Sequence, residues 1–351
     1  MDQPHAPRPA DAHYKRIATE EAWAPTEMIR IWKRILDGSD PDPGFVSLIG
    51  FYMTSQADRP KHIMSCLTDL GAMRIAHMDG AGIDRQIIAL TSPGVQVMDA
   101  ASAADFARVC NDELAEGCRR HPDRFSGMVA IAPHSPGEAA KEIERGIGKL
   151  GLTGVIVNSH THGEYLSDEK FWDILAAAEA LDTPIYLHPN TPPRDMIRPY
   201  LEAGLDGAIW GFAAETGLHA LRMITAGVFD RFPKLKIILG HTGEALPFWA
   251  YRLDYMHGAT VRSQRYESMK PLQRKVSEYL KQNFYYTNSG VAWEPAIKFV
   301  QSVVGGDRLM YAMDYPYQHS VEEVSQLDAM NMADELKKAF FQTNAEKVFK
   351  L

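Results

Sequence analysis

KRIATE at residues 15–20, running on into Glu21 and Ala22, decides the fold. A first strand that opens a nucleotide-binding, doubly wound sheet is followed by a glycine-rich turn of the GxGxxG or GxxxxGK[ST] kind. Here the run ends in Thr19-Glu20-Glu21-Ala22, without glycine, which disfavours that fold and its cofactors. Seven further short apolar runs follow: QIIALT (86–91), FSGMVAI (125–131), GVIVN (154–158), PIYLH (184–188), LKIILG (235–240), FYYTN (284–288) and RLMYAM (308–313). Near-continuous apolar runs of this length are expected of strands buried on both faces. Amphipathic segments such as DFARVCNDELAEGCRRH (105–121) and PGEAAKEIERGIGKLG (136–151) separate them. Alternation of strand and helix implies a parallel sheet with right-handed crossovers. Eight such strands predict a closed (β/α)8 TIM barrel. Residues 15–351 are expected to form this one catalytic domain, after a flexible, Pro-rich tail at 1–14. Residues 37–59 are expected to be a long, partly apolar loop or excursion that shapes a site.

The composition suits this reading. The 351 residues are 45% hydrophobic, enough for a large core, and the net charge of −8 leaves no basic excess for a nucleic-acid surface. No run approaches the roughly 18 apolar residues of a membrane span, and the polar N-terminus lacks the apolar stretch of a signal peptide. Three cysteines, Cys66, Cys110 and Cys118, include no CxxC pair and make no disulfide framework. A cytoplasmic location is expected.

Barrel enzymes carry their chemistry at the C-terminal ends of the strands. The first strand ends in Glu20 and Glu21, the fourth in Asn158, the fifth in His188; the sixth is followed by His241 and the eighth by Asp314. One histidine at a strand end is usually a hydrogen-bonded loop residue, and one acidic group a turn or helix cap. Four coincident positions, from strands 1, 5, 6 and 8, instead suggest a divalent-metal site with positions left open for substrate.

IATEEAW (17–23), LHPNTPP (187–193), GHTGEALPFWAYRLD (240–254), TNSGV (287–291) and YAMDYPYQ (311–318) resemble the amidohydrolase superfamily, within it the branch of aminocarboxymuconate-semialdehyde and hydroxybenzoate decarboxylases. FVSLIGFY (45–52), LTSPGVQ (90–96), NSHTHG (158–163) and LEAGLDGAIWGF (201–212) add to it, so the resemblance spans about residue 15 to the end. It implies non-oxidative, metal-dependent decarboxylation of an ortho-hydroxy aromatic acid, foremost 5-carboxyvanillate to vanillate and CO2 in the catabolism of lignin-derived aromatics. Decarboxylation of another hydroxybenzoate and metal-dependent lactone hydrolysis are the alternatives; a non-catalytic barrel that binds a small acid is the third reading. Relatives carry HxH or ExH on strand 1, whereas Ala22 stands at the second position here, and Asn158 replaces a bridging Lys or Glu. Both departures imply one metal ion, held by Glu20, His188 and Asp314, with Mn2+ ranked before Zn2+ and no organic cofactor. The resemblance further implies a homodimer or higher homo-oligomer.

Decarboxylation needs a proton at the ring carbon that loses CO2. Asp314 is the first choice as donor and His241 the rival, with Glu244 three residues on to orient its ring. Glu244 could equally be an N-terminal helix charge. Arg59 and Arg252 are the candidate anchors for an anionic substrate, though an arginine on a loop is more often simply solvated. Tyr317 could reach the ring and Phe212 could form an apolar wall, where packing is the plainer role for each. His219, four residues after Glu215, is expected to pair with it on a helix.

Overall fold

A computed structural model describes residues 13–351. Eight strands form one sheet in the order of the chain: β1 (Ile17–Trp23), β2 (Arg85–Leu90), β3 (Phe125–Ala130), β4 (Gly154–Asn158), β5 (Ile185–His188), β6 (Ile237–Leu239), β7 (Phe284–Thr287) and β8 (Leu309–Met310). Each pairs in parallel with the next. Closure runs through the segment after β8: the Thr19 N–H donates to the Tyr311 carbonyl at 3.1 Å, and the Ala22 N–H to that of Tyr315 at 2.7 Å. The strands carry β-branched and aromatic residues that are almost all buried, as two-sided burial demands. Helices cover the outside, the longest being Ala100–Arg120, whose first turn is capped by Asp99 accepting from the Ser102 N–H at 3.0 Å. This is a (β/α)8 barrel.

Two local features differ from the sequence expectation. The first strand does not stop at Glu20 but continues to Trp23. Ala18 pairs with Gln86 and Glu21 with Ile88, so β1 gains one residue between them, a bulge that contains Glu20. Bulges of this kind re-aim side chains beside active sites. Residues 37–59 are mostly helical rather than a loop. Asp42 caps a turn at Pro43–Phe45, accepting from the Gly44 and Phe45 N–H groups, a π-helical turn at Val46–Gly50 follows, then helices Phe51–Thr54 and Asp58–Leu67.

Most of the expected N-terminal tail, residues 1–12, lies outside the described residues. Tyr14, at its end, is packed: its ring stacks on Phe341 at 5.0 Å and its hydroxyl donates to Asp328 at 2.7 Å. Among the described residues no helix is long and apolar enough to cross a membrane.

Candidate active site

Glu20, 5% exposed, points into the barrel mouth from the bulge of β1. Its Oε2 is fully engaged: the Tyr186 hydroxyl and the Thr287 hydroxyl, the latter at 3.1 Å, both donate to it. Its Oε1 is buried without a hydrogen-bond partner and lies 3.4 Å from His188 Nε2. The His188 Nδ1–H donates to the Pro189 carbonyl at 2.8 Å, which leaves Nε2 with a lone pair facing that oxygen. Burial pushes the His188 pKa below its ordinary value, against the pull of Glu20, and so favours the neutral ligand form. A carboxylate oxygen without a donor and an imidazole lone pair turned toward it are the donor set of a divalent ion. Asp314 lines the same small cavity with Ala22, Tyr186 and Thr91. The residues therefore fit a bound metal.

Burial, and then the charge of Glu20, push the Asp314 carboxyl up to about 8, although His241 works in the other direction. The Glu244 carboxylate lies 2.8 Å from His241 Nδ1. Burial alone would depress that imidazole, but Glu244, with help from Glu20 and Asp314, lifts it to about 10. His241 and Asp314 also hold φ angles of 50° and 65°, as Glu244 does at 51° and Ser159 at 41°. Left-handed backbone at non-glycine residues costs roughly 1–2 kcal/mol each. Such strain persists where the surrounding fold over-determines it, often at functional sites.

Glu21, next to Glu20, faces a different environment. The Met313 and Tyr315 N–H groups and Gln86 Nε2 donate to its carboxylate, at 3.0, 3.3 and 3.2 Å. Burial raises its pKa to about 8 in spite of those bonds and of Arg74. It ties β1 to the segment that carries Asp314.

At the rim, the Tyr317 hydroxyl shares a 2.8 Å hydrogen bond with Thr91, and its ring packs edge-on to Tyr52 at 5.5 Å. Arg59 donates to the Tyr317 carbonyl at 2.8 Å, which brings it to the same rim. Arg252 and Phe212 are not brought into this cluster within one chain. Arg252 is exposed on helix Leu246–Ser263, and Phe212 is partly buried in the first turn of helix Gly211–Thr225.

Glu215 and His219 do not pair. His219 Nδ1 meets the Ser159 hydroxyl at 3.0 Å, and its Nε2 accepts from the Leu166 N–H at 2.9 Å, so both ring nitrogens are spent on loops. His160 is likewise spent on the Thr191 carbonyl (2.9 Å) and the Gly163 N–H (3.1 Å).

Tyr186, Thr287, Tyr52 and Thr91 are site residues that sequence reasoning missed. Tyr186 had a signal, since it precedes His188 by two residues on a strand and so shares its face. Gly240 had one too. A β-carbon there would lie 3.0 and 3.2 Å from the two Glu20 oxygens and 3.3 Å from the Tyr186 hydroxyl, so any larger residue would press on the carboxylate.

Comparison with known proteins agrees with this architecture. A family model described as amidohydrolase matches residues 67–351. Gamma-resorcylate decarboxylase of Polaromonas sp. (strain JS666) is 34% identical over 297 residues, 82% of this chain and 90% of that protein. The structure of 5-carboxyvanillate decarboxylase from Novosphingobium aromaticivorans, complexed with manganese and 4-hydroxy-3-methoxy-5-nitrobenzoic acid, is 55% identical with a TM-score of 0.97, covering 100% of both chains. That of 5-carboxyvanillate decarboxylase from Sphingomonas paucimobilis is 36% identical with a TM-score of 0.91, covering 96% of this chain and 99% of the other. With a family model spanning most of its length and relatives of this similarity, the chain belongs to the amidohydrolase family.

Proposed function

We propose that this protein is a metal-dependent, non-oxidative decarboxylase of ortho-hydroxy aromatic acids, with 5-carboxyvanillate as substrate and vanillate and CO2 as products. The observation that carries the reading is the unpartnered Glu20 Oε1 set against His188 Nε2 at 3.4 Å, with Asp314 on the same cavity. Glu20, His188 and Asp314 would hold one Mn2+, the ion present in the 55% identical neighbour. When bound, the ion would hold a phenolate and its ortho carboxylate together and lower the phenol pKa.

The chain's own groups supply the rest. Asp314, whose carboxyl burial and Glu20 hold up toward neutral pH, keeps a proton to place on the ring carbon that bears the leaving carboxylate. His241, kept cationic by Glu244, balances negative charge at the reacting end and is the rival donor. Arg59 and Tyr317, joined through the Tyr317 carbonyl, face the distal carboxylate and the methoxy side of the ring.

Several curated relatives are gamma-resorcylate decarboxylases, so a dihydroxybenzoate is the second substrate to try. The greater identity to the carboxyvanillate enzyme, over the whole chain, favours the first. The chain acts as a homodimer or larger homo-oligomer. Helix Leu246–Ser263 exposes Phe248 (71%), Tyr251 (85%) and Tyr255 (63%) beside Arg252, and a second copy seated there would cover this apolar face and give Arg252 a site to serve.

The test is incubation of the Mn2+-loaded enzyme with 5-carboxyvanillate and, separately, gamma-resorcylate, with chromatography of the products. Vanillate should form and gamma-resorcylate should turn over far more slowly. Faster turnover of gamma-resorcylate would reverse the substrate assignment, and turnover of neither would end the decarboxylase reading.

A further inference from the structure

We propose that His62, Cys66 and His77 form a second cation site, for a thiophilic divalent ion of the Zn2+ class, separate from the centre in the barrel mouth. His62 and Cys66 stand four residues apart on helix Asp58–Leu67, so they share a face. His77 comes from the next helix, Ala72–Ala81. Each of the three offers a ligand atom, and these atoms all lie within 4.8 Å of one another. Cys66 Sγ is 3.5 Å from His62 Nε2. The Tyr315 hydroxyl lies 2.9 Å from His77 Nδ1. His319 stacks on His77 at 5.1 Å, and its Nε2 is buried without a partner.

A cavity beside the cluster is lined by His62, Cys66, Tyr315 and His319, and by neither Glu20, His188 nor Asp314. Arg59 and Tyr317 line it too, so it adjoins the rim of the barrel mouth without including the residues that would hold the ion there. One thiolate and two imidazoles, with room for a further nitrogen or water, select Zn2+ or Co2+ over the harder Mn2+. Binding exchanges the Cys66 thiol proton, released to solvent, for a metal–sulfur bond. Two arginines stand nearby, Arg59 on the cavity wall and Arg74 over the Tyr315 ring at 4.6 Å; the thiolate and Asp69 offset them. Tyr315 directly follows Asp314, so an ion here would fix the segment that carries the proton donor and Tyr317.

The experiment titrates the Mn2+-loaded enzyme with Co2+ and records the near-ultraviolet thiolate-to-cobalt charge-transfer band. The barrel-mouth donors are oxygen and nitrogen alone, so cobalt exchanging there contributes no such band. The band should saturate at one Co2+ per chain, disappear in Cys66→Ser, weaken or disappear in His62→Ala, and persist in Cys118→Ser. His62 is exposed, so its truncation does not threaten folding even where a change at buried Cys66 does. A wild-type enzyme without the band, a band unchanged in His62→Ala, or one that survives Cys66→Ser would overturn the proposal.

Discussion

Replacing Glu244 with Gln isolates what a buried carboxylate does to His241. Burial alone would drive the imidazole below its ordinary 6.5, yet it is lifted to about 10, with Glu244 the strongest raising influence, ahead of Glu20 and Asp314. That rise corresponds to roughly 5 kcal/mol in favour of the imidazolium. Because burial opposes it, the carboxylates together supply at least that much. A divalent cation beside Glu20 and Asp314 would offset those two, leaving Glu244 to keep His241 charged. Gln retains the size and an oxygen near Nδ1 but removes the charge, so His241 should titrate at or below about 6.5. At about pH 8 no more than roughly one ring in 30 is then protonated. If turnover needs the imidazolium, kcat/KM at that pH falls about 30-fold or more and recovers toward about pH 5.5. The sign for stability is the same. A folded-state pKa above the unfolded value stabilises fully below about 6.5, and this contribution is lost as pH rises through about 10. The gap in melting temperature between wild type and variant should therefore narrow over that window. Nitrogen-edited NMR titration of the histidines, beside a pH–rate profile of the Mn2+-loaded enzyme, reads both effects. A variant whose His241 still titrates near 10, or whose profile overlays the wild type, refutes the reasoning.

Asp314→Asn can still offer an oxygen to the ion but no carboxylic proton, so metal content and binding of 5-nitrovanillate should persist while turnover falls at least about 100-fold. If that variant keeps most of its activity while His241→Asn is inactive, His241 is the donor. Gly240→Ala puts a β-carbon 3.0–3.2 Å from the Glu20 oxygens, so the carboxylate must shift, and Mn2+ binding should weaken by about 10–100-fold, as changes next to a ligand do; unchanged affinity in a metal titration would show that the shift is absorbed and refute the crowding argument. Elemental analysis should find about one Mn2+ per chain, and two would contradict the inference drawn from Ala22 and Asn158. Vanillate, whose hydroxyl is para to its carboxylate, should not be decarboxylated, and its turnover at a rate comparable to 5-carboxyvanillate would remove the chelating role of the ortho phenol.

All eight strands were legible because two-sided burial writes itself as apolar runs, and their ends fell within a few residues of where those runs stop. The first was misjudged for a physical reason. Glu20 and Glu21 read as the polar end of a strand, but both are buried and bonded within the barrel, so the ladder runs on to Trp23. Residues 37–59 read as a partly apolar loop, but in the structure Asp42 caps and Pro43 starts a helical turn there. Glu20, His188, His241 and Asp314 could be found because barrel topology gathers strand ends, whatever lies between them in sequence. Tyr186 and Thr287 could not be found that way, since their role is to hold Glu20 and depends on which faces of β5 and β7 turn inward. Arg252, expected as a substrate anchor, lies on an exposed helix face outside the cluster.

Charge accounting at the barrel mouth bears on the number of metal ions. Four acidic groups are gathered there. Glu244 is matched by His241 at 2.8 Å. Glu21 is matched by two backbone N–H groups, Gln86 and the nearby Arg74. Glu20 and Asp314 remain, and each acts on the other: the charge of Glu20 is the largest influence after burial on the Asp314 carboxyl. The hydroxyls of Tyr186 and Thr287 satisfy one oxygen of Glu20 without supplying charge. While Asp314 holds its proton, Glu20 is the one carboxylate left over; once that proton goes to the ring, the two together call for two positive charges, since an uncompensated buried charge is costly. One divalent ion supplies that number. A second would need further anionic ligands, and the positions where relatives place them hold Ala22 and Asn158. The Asn158 side chain brings no charge to the site, and its backbone N–H donates to Gln96 at 2.7 Å. The charge balance thus agrees with the single ion that Ala22 and Asn158 imply.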